Sequence, residues 1–266
     1  MGEPEEAVGE RRIAPRTTGL FARRLRTRLG ERIYAIGDMH GRMDLFAALL
    51  RLIEADCDAR RADGAVTSII VLGDFIDRGP QSREIVTLLR KSSELPHVTV
   101  LLGNHEACLL DCAHARADPR DGWLKFGGRE TLASYGIALP TDAEDHIDFA
   151  ERLRDGIGAE TIAWLDSLPL TARSGDYFFC HAGIRPGIPL ARQSRHDLLW
   201  IREPFLASRR DHGAAIVHGH SVSGEIDIAT NRIGIDTGAY ASGRLTALGL
   251  AGEDLWWLQT GDRADA

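Results

Sequence analysis

Five short apolar runs in this chain each end in a glycine-containing turn that carries a carboxylate, an amide or an imidazole. Ile33-Tyr34-Ala35-Ile36 is closed by Gly37-Asp38, Ser68-Ile69-Ile70-Val71-Leu72 by Gly73-Asp74, and Val98-Thr99-Val100-Leu101-Leu102 by Gly103-Asn104. Further on, Phe178-Phe179-Cys180 leads into His181-Ala182-Gly183, and Ile216-Val217-His218 into Gly219-His220-Ser221. Short runs rich in β-branched and aromatic residues, bounded by turn residues, read as strands. Between the first three, Leu45, Phe46, Leu49, Leu50 and Ile53, and then Ile85, Leu88 and Leu89, recur at helical spacing. Strand, helix, strand, helix, strand is a βαβ series, which implies parallel strands with helices packed on them. Sites in such a sheet form beyond the carboxyl ends of the strands, where glycine lets the backbone turn sharply. The first three ends are therefore candidates for one shared cleft, and the two later ones repeat the arrangement.

The stretch 106–168 reads as mostly helical, with turns at Asp118-Pro119, Gly127-Gly128 and Gly136. From 170 onward short strands dominate, over 170–173, 176–181, 214–218, 224–229, 232–236, 243–250 and 254–259. These predict a second, more antiparallel sheet. The expected fold class is α/β: a four-layer α/β/β/α sandwich of two mixed sheets with helices outside. Residues 1–30 open with acids and continue through Arg11, Arg12, Arg16, Arg23, Arg24, Arg26 and Arg28 with few apolar positions. They read as a flexible, arginine-rich arm, leaving 31–262 as a single domain.

Composition narrows the class. A net charge of -7 argues against a surface built to hold nucleic acid through its phosphates. It does not argue against a phosphorylated substrate, because bound metal ions would reverse the local sign inside a cleft. No run approaches the ~18 consecutive apolar residues of a membrane span, and the N-terminus has no signal-peptide core. A cytoplasmic protein is expected. Cys57, Cys108, Cys112 and Cys180 form no C-x-x-C pair and read as idle thiols. Gly219-His220-Ser221-Val222-Ser223 approaches a nucleophile elbow but has serine where the final glycine belongs. There is no phosphate-binding G-x-x-x-x-G-K-[ST] loop either, so ATP is not an expected cofactor.

A glycine–aspartate pair after one strand is usually only a turn, and a lone histidine usually a structural hydrogen-bonding residue. Five such ends in one chain set that explanation aside. Asp38 and Asp74, Asn104, and the imidazoles of His40, His181 and His220 together offer mixed oxygen and nitrogen donors. Such a set suits Mn²⁺, Fe or Zn²⁺ better than Ca²⁺ or a thiolate-bound metal.

Gly37-Asp38-Met39-His40-Gly41, Gly73-Asp74-Phe75-Ile76-Asp77-Arg78-Gly79 and Gly103-Asn104-His105-Glu106 resemble the three signature motifs of the phosphoprotein phosphatase (PPP) family of metallophosphoesterases. His181-Ala182-Gly183 and Gly219-His220-Ser221 resemble its two later histidine motifs. The likeness runs from about residue 32 to 240 and is nearest to the bacterial and bacteriophage lambda type of serine/threonine phosphatase. It implies two divalent metal ions, Mn²⁺ first, with Fe or Zn²⁺ as alternatives. Asp38, His40 and Asp74 would hold one ion, and Asp74, Asn104, His181 and His220 the other, with Asp74 bridging. His218 is the other candidate beside His220; His220 directly precedes the serine turn, as the family's ligand does. Catalysis would proceed by direct attack of a metal-bridging hydroxide. Arg78 would bind the phosphate, with Arg202, Asn104 and His105 beside it. His105 would protonate the leaving group, oriented by Asp77.

The implied activity is hydrolysis of phosphomonoesters, above all protein phosphoserine and phosphothreonine, by a monomeric enzyme. A hydrolase of small phosphoanhydrides, like the diadenosine tetraphosphatases that share these motifs, is the alternative. A non-catalytic phosphopeptide-binding module comes last, since the full ligand set is present. The chain departs from the family at Ile76, where valine is usual, and after Asp236-Thr237-Gly238, which lacks the Ser-Ala-Pro-Asn-Tyr element of the eukaryotic enzymes.

Overall fold

The computed structural model describes residues 9–13 and 24–261, and the expected βαβαβ run is its frame. In chain order the elements are β1 (Gly9–Ile13), β2 (Glu31–Ile36), α1 (Met43–Ala59), β3 (Val66–Val71), α2 (Ser82–Ser92), β4 (Val98–Val100), α3 (Asn104–Ala113), α4 (Gly128–Ser134), α5 (His146–Ile157) and α6 (Ala159–Ser167). They continue through β5 (Thr171–Ser174), β6 (Tyr177–Cys180), α7 (Arg195–Trp200), β7 (Ala215–His218), β8 (Asp227–Ile228), β9 (Arg232–Gly234), α8 (Ala239–Ser242), β10 (Thr246–Ala251) and β11 (Asp254–Gln259).

One sheet runs β1-β11-β10-β2-β3-β4 and the other β5-β6-β7-β9-β8. Both are mixed: β2, β3 and β4 are parallel, as are β6, β7 and β9, with antiparallel strands outside them. The period-2 alternation of strand side chains sets the layers. Tyr34, Ile36 and Val71 point into a core shared with Phe46 and Leu49 of α1, Ile85 and Leu89 of α2, and Phe149 of α5. Their neighbours Ile33, Ala35 and Ile70 face the other way and meet Tyr177, Phe179 and Val217 of the second sheet. Phe178, Cys180 and Ile216 then close a smaller core against Leu198 of α7 and Phe205. Each fully buried aromatic or aliphatic side chain contributes about 1.5–3 kcal/mol. Helices, sheet, sheet, and a thin outer cover carrying α7 are the four layers expected.

Two sequence expectations need correction. The strands expected over 243–250 and 254–259 join the first sheet, not the second. They form a hairpin, β10 and β11, whose β10 lies antiparallel on β2 with Ala247 opposite Ile36. Gly249 faces Trp256 in that register, and a side chain at 249 would collide with the indole ring. The arm expected over 1–30 is in part structured: Gly9–Ile13 pairs antiparallel with β11. Past it, Arg26 N donates to the Asp176 carboxylate at 2.9 Å, and Thr27 N to Gly252 O at 3.1 Å. Residues 1–8 and 14–23 lie outside the described residues. No helix among the described residues is long and apolar enough to cross a membrane.

Candidate metal centre and catalytic cleft

The carboxyl ends of β2, β3, β4, β6 and β7 converge, and the residues that follow them line or underlie one cleft of about 490 Å³. Asp38, His40, Asp74, Asn104 and His220 lie on its walls with Arg78, His105 and Arg202. His181 lies beneath, fully buried, with Nε2 at 2.8 Å from Asn104 Oδ1. The turns carrying these groups are tight. Six non-glycine residues among those described have a positive φ, and five of them are His40, Asp74, Asp77, Arg78 and His220. Left-handed backbone costs of order 1–3 kcal/mol at such residues and persists only where the surroundings impose it. Gly73, at φ 96°, lets two strand ends come together, since a β-carbon there would stand 2.5 Å from Gly103 N.

Glu106 imposes part of this geometry. Its buried carboxylate accepts from Asp74 N, Phe75 N and Gly103 N at 2.9 Å each, and from Ile76 N at 3.2 Å. One side chain thus ties the end of β3 to the start of α3. Glu106→Gln puts an amide donor against these N–H groups. We expect a stability loss of about 2 kcal/mol in urea denaturation and a kcat/KM at least about tenfold lower. A variant with unchanged midpoint and unchanged rate would show that the clamp is dispensable.

Asp74 is the common member of two groups able to hold a cation. One is His40, Asp74 and His105; the other is Asp74, His181 and His220. Asp74 Oδ1 lies 3.4 Å from His181 Nε2, and Oδ2 lies 3.8 Å from His40 Nε2. Backbone carbonyls set the imidazole orientations: His40 Nδ1 donates to Ile76 O and His181 Nδ1 to Leu72 O, both at 2.9 Å. That leaves each Nε2 with its lone pair toward the cleft. Asn104 Oδ1 stands 2.8 Å from His220 Nδ1. Asp38 belongs to neither group; its Oδ2 accepts from His220 N at 3.0 Å. His218 points away, packed on Phe205 with Nδ1 on Gly219 O.

The donor set fits divalent metal ions. Asp38 Oδ1 and His220 Nε2 are buried and have no hydrogen-bond partner among the described residues, and a buried polar atom left so requires an explanation such as an ion. Burial drives His40 and His220 down to about 3 and lowers His181 as well, which keeps the imidazoles neutral as donors. Burial, then the neighbouring Asp236 and Asp74 carboxylates, push Asp38 well above the usual carboxylate range. A dication held among these carboxylates would relieve that repulsion.

Beside this cluster runs a chain of polar groups. Asp77 Oδ2 accepts from His105 Nδ1 at 2.7 Å and from Trp123 Nε1 at 2.9 Å, while Thr131 donates to Oδ1 at 2.5 Å. Burial disfavours charged His105, but the Asp74 carboxylate and the Asp77 hydrogen bond outweigh it and hold the imidazole above its ordinary value. Arg78 Nη2 lies 3.3 Å from His105 Nε2. Arg202 reaches the cleft from the second sheet's side, Nη2 to His220 O at 3.5 Å.

Some cleft residues escaped the sequence reading. Asp236, which burial pushes up to about 6, lines the cleft just past β9; its Asp236-Thr237-Gly238 turn repeats the strand-end pattern and could have been read. Thr131, Trp123, Phe126 and Tyr240 carried no such signal.

Comparison with known proteins agrees with this geometry. Residues 31–247 match the calcineurin-like phosphoesterase family. The symmetrical bis(5'-nucleosyl)-tetraphosphatase of Methylococcus capsulatus is 34% identical over 156 residues, 58% of this chain and 44% of that one. The chain thus spans about half the length of this tetraphosphatase and of a second one from Aromatoleum aromaticum, 51% of which it covers. Serine/threonine-protein phosphatase 1 of Salmonella typhimurium is 30% identical over 221 residues, 80% of this chain and 89% of that one. Among solved structures, one provisionally named a diadenosine tetraphosphatase superposes with a TM-score of 0.62 at 20% identity, covering 90% of this chain and 97% of that one. With its strand-end donors gathered around a shared carboxylate, the chain belongs to the calcineurin-like phosphoesterase family.

Proposed function

We propose that this chain hydrolyses the phosphoanhydride of a dinucleoside polyphosphate with two divalent ions held by Asp38, His40, Asp74, Asn104, His181 and His220. The observation that carries the hydrolase part of this reading is the Asp77–His105–Arg78 chain standing against the Asp74-centred donor cluster. When bound, the ions would supply Lewis-acid polarisation of a phosphoryl oxygen and an acidified water. The protein's own groups supply the rest. Arg78 offers a planar fork of donors to phosphate oxygens, and Arg202, beside His220, adds a second cation to the cleft. Asp77 holds His105 by Nδ1, so Nε2 is the atom that carries a proton toward the leaving oxygen. Trp123 and Thr131 fix Asp77, which in turn keeps the imidazole from rotating.

The tetraphosphatase names of the relatives in Methylococcus and Aromatoleum support the anhydride substrate. A second reading, a monoesterase acting on phosphoserine and phosphothreonine, is supported by the Salmonella phosphatase, which is 30% identical over 221 residues. The Mn²⁺-reconstituted protein should turn over diadenosine tetraphosphate with a higher kcat/KM than a phosphoserine peptide. The reverse order would favour the monoesterase, and failure on both with Mn²⁺, Fe²⁺ or Zn²⁺ would sink the hydrolase reading.

A further inference from the structure

The cleft has an apolar side that phosphate chemistry does not use. Besides the cations, its walls carry Phe126, Trp200, Val222 and Tyr240. Phe126, Val222 and Tyr240 leave 51%, 57% and 40% of their surface exposed. Phe126 and Tyr240 are the only aromatic side chains among the exposed large hydrophobics of the described residues. One exposed apolar side chain needs no explanation. Three on the walls of one concave, cation-bearing cleft mark a binding surface with an apolar component.

The Tyr240 ring and the Phe126 backbone are both held against the arginine. Arg78 Nε donates to Phe126 O at 3.4 Å, and its guanidinium carbon lies 4.3 Å from the Tyr240 ring centroid. Directly after Phe126, Gly127 turns at φ 114° and accepts from Arg78 N at 3.1 Å. The Phe126 backbone is therefore fixed against Arg78 on one side, and Tyr240 stacks on the guanidinium. A planar π face and a phosphate-binding fork stand next to each other, with room in the cleft for a ligand that has both.

Resting on the hydrolase reading above, we infer that Phe126 and Tyr240 form a stacking platform for a nucleobase whose phosphates Arg78 holds. Every base has a π face, so such a platform recognises a nucleotide without reading which base it carries. A phosphoserine or phosphothreonine side chain has no planar group to place there. The platform therefore favours nucleoside polyphosphates over phosphoproteins at this same cleft.

The test measures binding, by calorimetry on the full Mn²⁺-loaded chain, of α,β-methylene ADP and of methylenediphosphonate, which share a non-hydrolysable bridge and differ in the nucleoside. Wild type should bind the nucleotide more tightly. In Phe126→Ala the ratio of the two affinities should fall by about fivefold or more, the low end of what removing a base-stacking ring costs. Phe126→Leu, apolar but without a π face, should follow the alanine variant, and Phe126→Trp should keep the ratio. No preference for the nucleotide in wild type, or a ratio that survives in Phe126→Ala and Phe126→Leu, overturns the platform. The two readings fail separately. Phosphopeptide hydrolysis without base preference keeps the hydrolase and removes the platform, whereas Phe126-dependent nucleotide binding without any hydrolysis does the opposite.

Discussion

Asp74→Asn should bind fewer than two equivalents of metal and lose at least about a thousandfold in kcat/KM, the largest single-residue effect expected in this chain. Asp74 is the one residue common to both donor groups, it is 2% exposed, and each of its oxygens faces a different imidazole. Removing a mere outer partner of a metal ligand costs roughly 10–100-fold in affinity or activity, so neutralising a shared inner carboxylate must cost more. The substitution keeps the shape of the side chain, and the apo protein should remain folded. It also removes one member of the carboxylate crowd formed with Asp38 and Asp236. Elemental analysis after reconstitution and dialysis reads the metal directly, with circular dichroism as the check on folding. Two full equivalents retained by a folded variant would rule out the shared role.

His105→Ala should retain both equivalents of metal and lose about 10²–10⁴ in kcat, the range ascribed to a positioned general acid. The distinction matters because His105 Nε2 stands 3.9 Å from Asp74 Oδ2 and belongs geometrically to the first donor group. As an acid, it is needed in proportion to the basicity of the leaving oxygen. The deficit should therefore shrink on an aryl phosphate with an acidic phenol and stay large on an alkyl ester. A proportional loss on both substrates, with one metal missing, would make His105 a ligand instead.

What the sequence disclosed follows from where turns must fall. A strand that ends on glycine and a polar residue announces both its end and its cargo, so Asp38, Asp74, Asn104, His181 and His220 were legible before any coordinate. The fold class followed from the same punctuation, because helical spacing between short apolar runs permits little besides a layered α/β arrangement. Residues 106–168 disclosed far less. Periodicity there says which face of a helix is buried but not which distant group it meets, so nothing marked Thr131 and Trp123 as partners of Asp77. Strand pairing was similarly hidden: β10 and β11 read as strands, yet only the register of Ala247 on Ile36 shows which sheet they extend.

The donors around Asp74 come from two different sheets, Asp38, Asp74 and Asn104 from one, His181 and His220 from the other. Ions seated among them would act as rivets across the interface where Ile33 and Ala35 meet Phe179 and Val217. Ligand that binds only the closed arrangement stabilises it by mass action, and that gain concentrates where the two sheets would otherwise part. Metal loading should then slow amide hydrogen exchange in β6 and β7 far more than in β11 at the opposite side of the first sheet, so that the cofactor would set how independently the two halves of the sandwich breathe.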